Sequence, residues 1–271
     1  MKHRAKIIDT KVEIENIVKS IRKYFIANGS EDTKAIIGIS GGKDSTIAAA
    51  LLVRALGADK VIGVLMPQDQ QKDIDDSYRI CEALGIQHFT INIGPTCNSL
   101  YTAFMANTAL PTNSQILTNA PARIRMNVLY MVAAAVGGRV INTGNASELY
   151  VGYTTKYGDL AGDYAIFKEY YVRDVLMIGA AMTEIPMDLV EKAPGDGMSG
   201  KTDEDNLGFS YETLDAYLLD NVTPDYATLR NINARYRNNI HKKCIDLPHP
   251  RPISRHWNDD QDWRIYDSYE F

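Results

Sequence analysis

The sequence predicts an α/β protein, a doubly wound parallel sheet with helices on both faces. Two observations point that way. Short, wholly apolar runs read as strands buried on both sides, and segments of helical period alternate with them across short connections. At 271 residues, 45% of them hydrophobic, the chain can bury a full core.

Taken in order, Ile14, Ile17, Val18, Ile21, Tyr24 and Phe25 recur at helical spacing, and Asn28-Gly29 ends that first helix. Ala35 to Ile39 is the first buried strand. A helix from about Ser45 to Leu56 stops at Gly57, and Val61 to Leu65 is the second strand. Ile74, Tyr78, Cys81 and Leu84 form the stripe of the next helix, which ends at Gly85. His88 to Ile93 reads as a third strand, so the crossovers are right-handed. Asn119 and Pro121 read as cap and early proline of a helix over Ala122 to Val136, closed by Gly137-Gly138. Arg139 to Thr143 is a further strand, and another helix covers Tyr170 to Ala181. The Gly-, Asp- and Lys-rich region from Pro186 to Gly208 lacks periodicity and reads as a mobile loop. Tyr226, Leu229, Ile232, Asn233 and Tyr236 mark a C-terminal helix. No repeat or low-complexity linker divides the chain, so residues 1–247 read as one domain and 248–271 as a polar tail.

Composition narrows the function. A net charge of −5 argues against a general nucleic-acid binder. No apolar run approaches the roughly 20 residues needed to span a bilayer, and the first residues are too charged for the core of a signal peptide. Cys81, Cys97 and Cys244 are odd in number and widely spaced, as expected of buried thiols in a cytoplasmic protein.

The most informative stretch lies between the first strand and its helix, Gly38-Ile39-Ser40-Gly41-Gly42-Lys43-Asp44-Ser45. A G-x-x-x-x-G-K-[ST] loop would need glycine where Ile37 stands and Ser or Thr where Asp44 stands. A G-x-G-x-x-G fingerprint would need glycine in place of Ser40. What remains, Ser-Gly-Gly-x-Asp-Ser, suits a pyrophosphate. The glycines admit close approach of an oxyanion, the serines offer hydroxyls, and the helix N-terminus adds free N–H groups. Asp44 would repel a bare phosphate, so it implies a bridging Mg²⁺. A plain strand-to-helix turn with Ser45 or Asp44 as cap is the bland alternative.

The loop resembles the ATP pyrophosphatase loop of the adenine-nucleotide α-hydrolase-like group, a Rossmann-like fold. Over nearly its whole length the chain resembles the ammonia-dependent NAD⁺ synthetases. Besides Ser40 to Ser45, the matching blocks are Ala122-Arg123-Ile124-Arg125-Met126, Asn142-Thr143-Gly144-Asn145 with Glu148, Thr154-Thr155-Lys156-Tyr157-Gly158-Asp159, Gly162-Asp163, Thr202-Asp203-Glu204 and His241-Lys242. The resemblance implies a homodimer that adenylates the nicotinate carboxylate of deamido-NAD⁺, after which ammonia displaces AMP. It implies that Gly38 to Ser45 and Thr143 contact ATP, and that Asp44 and Glu148 hold Mg²⁺. Arg123, Lys156, Asp163, His241 and Lys242 would bind deamido-NAD⁺.

The residues by themselves leave alternatives open. Glu148 could be a helix-cap carboxylate, Lys156 and Asp163 a surface ion pair, and His241-Lys242 a neutralising charge at a helix end. Arg123 is disfavoured by the dipole of an early helical turn and needs another reason to be there. The chain departs from many relatives at Val172, where they carry a lysine, and at Gly195, where they carry Ser or Thr. Rival readings are a tRNA-thiolating enzyme, a glutamine-using synthetase and a non-catalytic nucleotide sensor. The first would need reactive cysteine pairs and a basic face. The second would need a glutaminase domain, for which 271 residues leave no room. A sensor would have no reason to keep Arg123, Glu148, Lys156 and Asp163 together.

Overall fold

Period-two alternation along the central strands builds a core on each face of the sheet. In a computed structural model of the chain, which describes residues 8–71, 74–190, 202–243 and 246–254, β1 spans Ala35–Gly38 and β2 spans Val61–Leu65. Ile37, Val61 and Leu65 join one buried cluster, while Ile36, Ile62 and Val64 join the other. Helices α1 (Thr10–Asn28), α2 (Lys43–Leu56) and α3 (Ile74–Leu84) cover the first face. Helices α4 (Gly94–Asn107) and α5 (Ser114–Val136) cover the second.

With β3 (Gln87–Thr90), β4 (Arg139–Asn142) and β5 (Tyr164–Ala165), the five parallel strands lie in the order β3-β2-β1-β4-β5. The chain moves outward from β1 to β3, then returns beneath the sheet to place β4 on the other side of β1. The sheet is therefore doubly wound, and its switch point lies between β1 and β4. The crevice there, beyond the carboxyl ends of the strands, is where such sheets bind ligands. Beyond β4, α6 (Ala146–Val151) packs with α10 (Tyr211–Asp220) and α11 (Tyr226–Asn238) around Val151, Leu214, Leu218 and Ile232. Helices α7 (Val172–Ala180), α8 (Met187–Val190) and α9 (Asp203–Leu207) complete the described α-helices.

Several boundaries differ from expectation. The chain between β3 and β4 forms two helices where one was expected, and α5 starts at Ser114, capped by Asn113, rather than at Ala122. Pro121 therefore lies inside a helix. Its missing N–H would leave the Leu117 carbonyl without a donor, and the Tyr101 hydroxyl of α4 donates to that carbonyl at 3.2 Å. Part of the region read as a mobile loop is helical, namely α8 and α9, while residues 191–201 lie outside the described residues, as does Gly195. The first residues of the tail are tied down. Ala165 N donates to Pro248 O at 2.9 Å, and Ile253 N, Ser254 N and Ser254 Oγ converge on Glu13 Oε1 at 2.9, 2.6 and 2.5 Å.

Cys81 and Cys97 are free and buried, as expected, and burial raises both thiols above their ordinary value; Cys244 lies outside the described residues. Among the described residues no helix is long and apolar enough to cross a membrane.

Candidate active site

The loop after β1 is shaped by one glycine and two serines. Gly41 has φ of +76°, and a Cβ there would stand 3.1 Å from Asp76 Cβ and 3.2 Å from Ser77 Oγ at the start of α3. Both the backbone conformation and the space thus require glycine. Ser40 Oγ accepts from Gly42 N at 3.3 Å and lies 3.1 Å from Ser45 Oγ, which itself donates to Gly42 O at 3.1 Å. No side chain caps α2, so the N–H groups of its first turn remain available to an anion at the positive end of a 14-residue helix.

The switch point brings the loop after β4 beside this one. Thr143, half-buried, directly follows β4, and two residues on Asn145 opens α6. Asn145 Oδ1 accepts from Glu148 N, and Asn145 N donates to Glu148 Oε2, both at 3.0 Å, closing a capping box. Asn145 Nδ2 also reaches across the crevice to Asp44 Oδ1 at 3.2 Å. The other oxygen of Asp44 meets Lys43 Nζ at 2.6 Å, and Lys43 is only 2% exposed.

Charge is concentrated here. Burial, then the neighbouring Asp44, pushes the Glu148 carboxyl up to about 8, although Lys43 and the Asn145 N–H act against them. Burial pulls Lys43 down, but Asp44, Glu148 and Asp203 outweigh it and leave the ammonium above its ordinary value. Asp203, at the start of α9, is thus part of the same acidic group. Beneath the ammonium lies the ring of Tyr211, with Nζ 5.8 Å from its centroid. Ser147 Oγ donates to Asp215 Oδ1 at 2.5 Å, which locks α6 to α10.

At the far end of α6, six residues or about 9 Å away at 1.5 Å per residue, a cavity of about 390 Å³ opens. Its wall includes Arg123, Lys156, His241 and Lys242, together with Asn119, Thr155, Arg235 and Asn239. Arg123 Nε donates to Lys156 O at 3.1 Å, and Lys156 Nζ to His241 O at 3.0 Å. Lys242 Nζ donates to the Gly152 and Thr154 carbonyls at 2.7 and 2.5 Å, and burial lowers its pKa. Gly152 ends α6 with φ of +66°, and a Cβ there would overlap Asn239 at 2.1 Å.

Of the residues expected at a nucleotide site, the structure thus gathers Gly38 to Ser45, Thr143 and Glu148 at the switch point, and Arg123, Lys156, His241 and Lys242 around the cavity. Asp163 is not on the cavity wall. Its carboxylate accepts from Val140 N at 2.7 Å and from the Tyr130 hydroxyl at 3.2 Å, so it pairs with β4 and α5 rather than with Lys156. The helix-cap reading of Glu148 and its place beside Asp44 both hold, because one carboxylate does both. Val172 is buried among Val151, Leu207 and Leu214, while Arg173 pairs with Asp220 and Lys168 with Asp246, so none of the three lies in either site. Sequence reasoning gave no role to Asn145, Asp203, Tyr211 or Arg235. Asn145 carried a signal of its own, the Asn-x-x-Glu spacing of a capping box, and Asp203 lies in the Thr202-Asp203-Glu204 block.

Fold and site define a doubly wound α/β protein with an anion loop and two carboxylates at its switch point. The family model described as NAD synthase matches residues 13–248. An NH₃-dependent NAD⁺ synthetase from Pyrococcus furiosus is 39% identical over 209 residues, covering 77% of this chain and 79% of the relative. One from Thermoplasma acidophilum is 35% identical, covering 82% and 92%. Among solved structures, an NMN synthetase from Francisella tularensis matches with a TM-score of 0.80 at 31% identity, covering 89% of this chain and 98% of that one. An NH₃-dependent NAD synthetase from Campylobacter jejuni matches with a TM-score of 0.68 at 27% identity, covering 88% and 98%. The chain belongs to the NAD synthase family.

Proposed function

We propose that this chain amidates the nicotinate carboxylate of deamido-NAD⁺ with ammonia, at the expense of ATP cleaved to AMP and pyrophosphate. The observation that carries the reading is a juxtaposition. An anion loop with paired carboxylates at the switch point lies one short helix from a polar cavity walled by Arg123, Lys156, Arg235 and Lys242. Two anions, carboxylate and triphosphate, must be held together for adenylation, and these are cationic and N–H-rich surfaces at the two ends of one short helix.

In this reading the first turn of α2, Ser40, Ser45 and Lys43 hold the polyphosphate, and Thr143 contacts the nucleotide. The cavity holds the dinucleotide through Arg123, Lys156, His241 and Lys242. Asp163, off the cavity wall and bonded to β4 and α5, is given no contact with the ligand in this reading. A carboxylate oxygen attacks the α-phosphorus while its bond to the bridging oxygen breaks and pyrophosphate leaves. Ammonia then adds to the carbonyl carbon, the bond to AMP breaks, and the surplus proton passes to solvent. Asp44 and Glu148 fit Mg²⁺. They are two neighbouring carboxylates, one of them awkwardly protonated without a cation, and Mg²⁺ takes one or two carboxylates together with substrate phosphates. Among the described residues no set of three His, Cys, Asp or Glu side chains could hold a metal alone, which suits a site completed by phosphate. When bound, the ion would neutralise charge building on the leaving pyrophosphate.

We further infer a homodimer, because Leu100 and Met105 of α4 and Leu117 and Met131 of α5 are exposed apolar side chains on neighbouring helices. Residues 1–247 act as one catalytic domain in this reading, and the buried free thiols suit the cytoplasm.

The likeness to an NMN synthetase supports a second acceptor, the deamidated mononucleotide, which carries the same carboxylate. The test supplies Mg-ATP and ammonium with either acceptor and separates the nucleotides by chromatography. The proposal expects AMP and NAD⁺ from deamido-NAD⁺, and no product when glutamine replaces ammonium. Amidation of the mononucleotide alone would transfer the assignment to that acceptor, and ADP as product would overturn the loop reading.

A further inference from the structure

Three tyrosines, Tyr164, Tyr170 and Tyr211, are among the largest fully buried side chains in the protein. Two of the three hydroxyls are satisfied, Tyr164 donating to Ser20 Oγ and Tyr170 to Glu13 Oε2, both at 2.8 Å. The hydroxyl of Tyr211 has no partner among the described residues, although the residue is 2% exposed. A buried O–H without an acceptor is costly, and native proteins rarely keep one without a reason.

Its surroundings supply the reason. Tyr211 lies under Lys43 Nζ, and its phenol is held far above its ordinary pKa by burial and then by Glu148, Asp203 and Asp44. It therefore keeps its proton and can donate. The backbone beneath it is held: Tyr211 N donates to Glu204 Oε1 at 2.9 Å, and α10 is bolted to α6 through Ser147 and Asp215. The donor stands fixed beside a cluster whose ligands would bring acceptor oxygens.

We propose that the Tyr211 hydroxyl donates a hydrogen bond to an oxygen held at Asp44 and Glu148 in the loaded site, either a polyphosphate oxygen or a metal-bound water. This rests on the nucleotide reading of that site. Tyr211 is thus a ligand-binding residue whose hydroxyl has no partner among the described residues.

The test is Tyr211→Phe, which deletes only the oxygen. Removing an unsatisfied buried hydroxyl should leave the melting temperature of the ligand-free protein unchanged or raise it by a few degrees. The dissociation constant for Mg-ATP, measured by calorimetry without an acceptor, should rise about tenfold, as for loss of a hydrogen bond to a charged group. Titration with Mn²⁺ alone separates the two sources. A weakened Mn²⁺ affinity assigns the acceptor to metal-bound water, and an unchanged one assigns it to phosphate. Unchanged Mg-ATP affinity in Tyr211→Phe would overturn the proposal whatever the melting temperature does. Failure of the wild-type protein to bind Mg-ATP would instead overturn the site reading beneath it.

Discussion

Asn145 binds Asp44 with its side-chain amide at 3.2 Å while both its side chain and its main chain close on Glu148 at 3.0 Å. One residue, 0% exposed, therefore caps α6 and fixes the spacing of the two carboxylates. Serine at this position keeps the cap but cannot span the crevice. Asn145→Ser should fold with most of its stability, whereas Asn145→Ala should lose about 1 kcal/mol more through the missing cap. Both should lose at least about tenfold in kcat/KM, comparable to one charge-assisted hydrogen bond. Serine restoring full activity would reduce Asn145 to a cap.

The first half of the fold was legible because β1 and β2 are wholly apolar and the connections short, so the motif loop could be placed between β1 and α2 from residues alone. The second half was less legible: α4, α6, β5 and α10 were not anticipated, and the start of α5 was misplaced. Pro121 looked like a helix start, and only the Tyr101 hydroxyl, distant in sequence, shows why a proline is tolerated inside α5. α4, which was not anticipated between the third strand and α5, begins at Gly94 with Pro95 in its first turn. In the site, Asp44 and Glu148 were legible by motif. Asp203 and Tyr211 had no role assigned, because their place beside the loop depends on how α9 and α10 dock against α6.

The raised carboxyl of Glu148 sets a pH dependence. Its folded value of about 8 exceeds its ordinary value of 4.5, so the folded protein holds an extra proton between the two. That contribution to stability is complete at low pH and is lost as pH rises toward 8. In the metal-free protein, Glu148→Gln should therefore raise the melting temperature more at pH 8 than at pH 5. Metal binding must expel the proton, so calorimetry in buffers of different ionisation enthalpy should count nearly one proton released at pH 7 and almost none at pH 9.5. Equal release at both would remove Glu148 from the metal site.

The cationic cavity makes a separable prediction. Arg123→Ala should raise the KM for deamido-NAD⁺ by about tenfold or more, through loss of a planar cation facing carboxylate or phosphate. The KM for ATP should stay near the wild-type value, since the loop lies at the other end of α6. A rise in both would place the two ligands differently from the geometry described above.

Glu13, buried at 0% exposure, accepts from Tyr170, Ile253 and Ser254 and so straps the tail's first residues to α1. Deleting residues 249–271 removes three donors from a buried carboxylate and should cost about 1–3 kcal/mol. Glu13→Gln should cost a similar amount, and the two changes together should cost less than their sum. Unchanged stability on truncation would show that water replaces the strap.

The central claim is an adenylated carboxylate, and isotope transfer tests it most directly. Deamido-NAD⁺ labelled with ¹⁸O in both nicotinate carboxylate oxygens is turned over with Mg-ATP and ammonium, and the products are weighed by mass spectrometry. A carboxylate oxygen that attacks the α-phosphorus leaves with AMP, so AMP should carry one ¹⁸O and the new amide the other. Label in the pyrophosphate or in free phosphate, with none in AMP, would contradict the account.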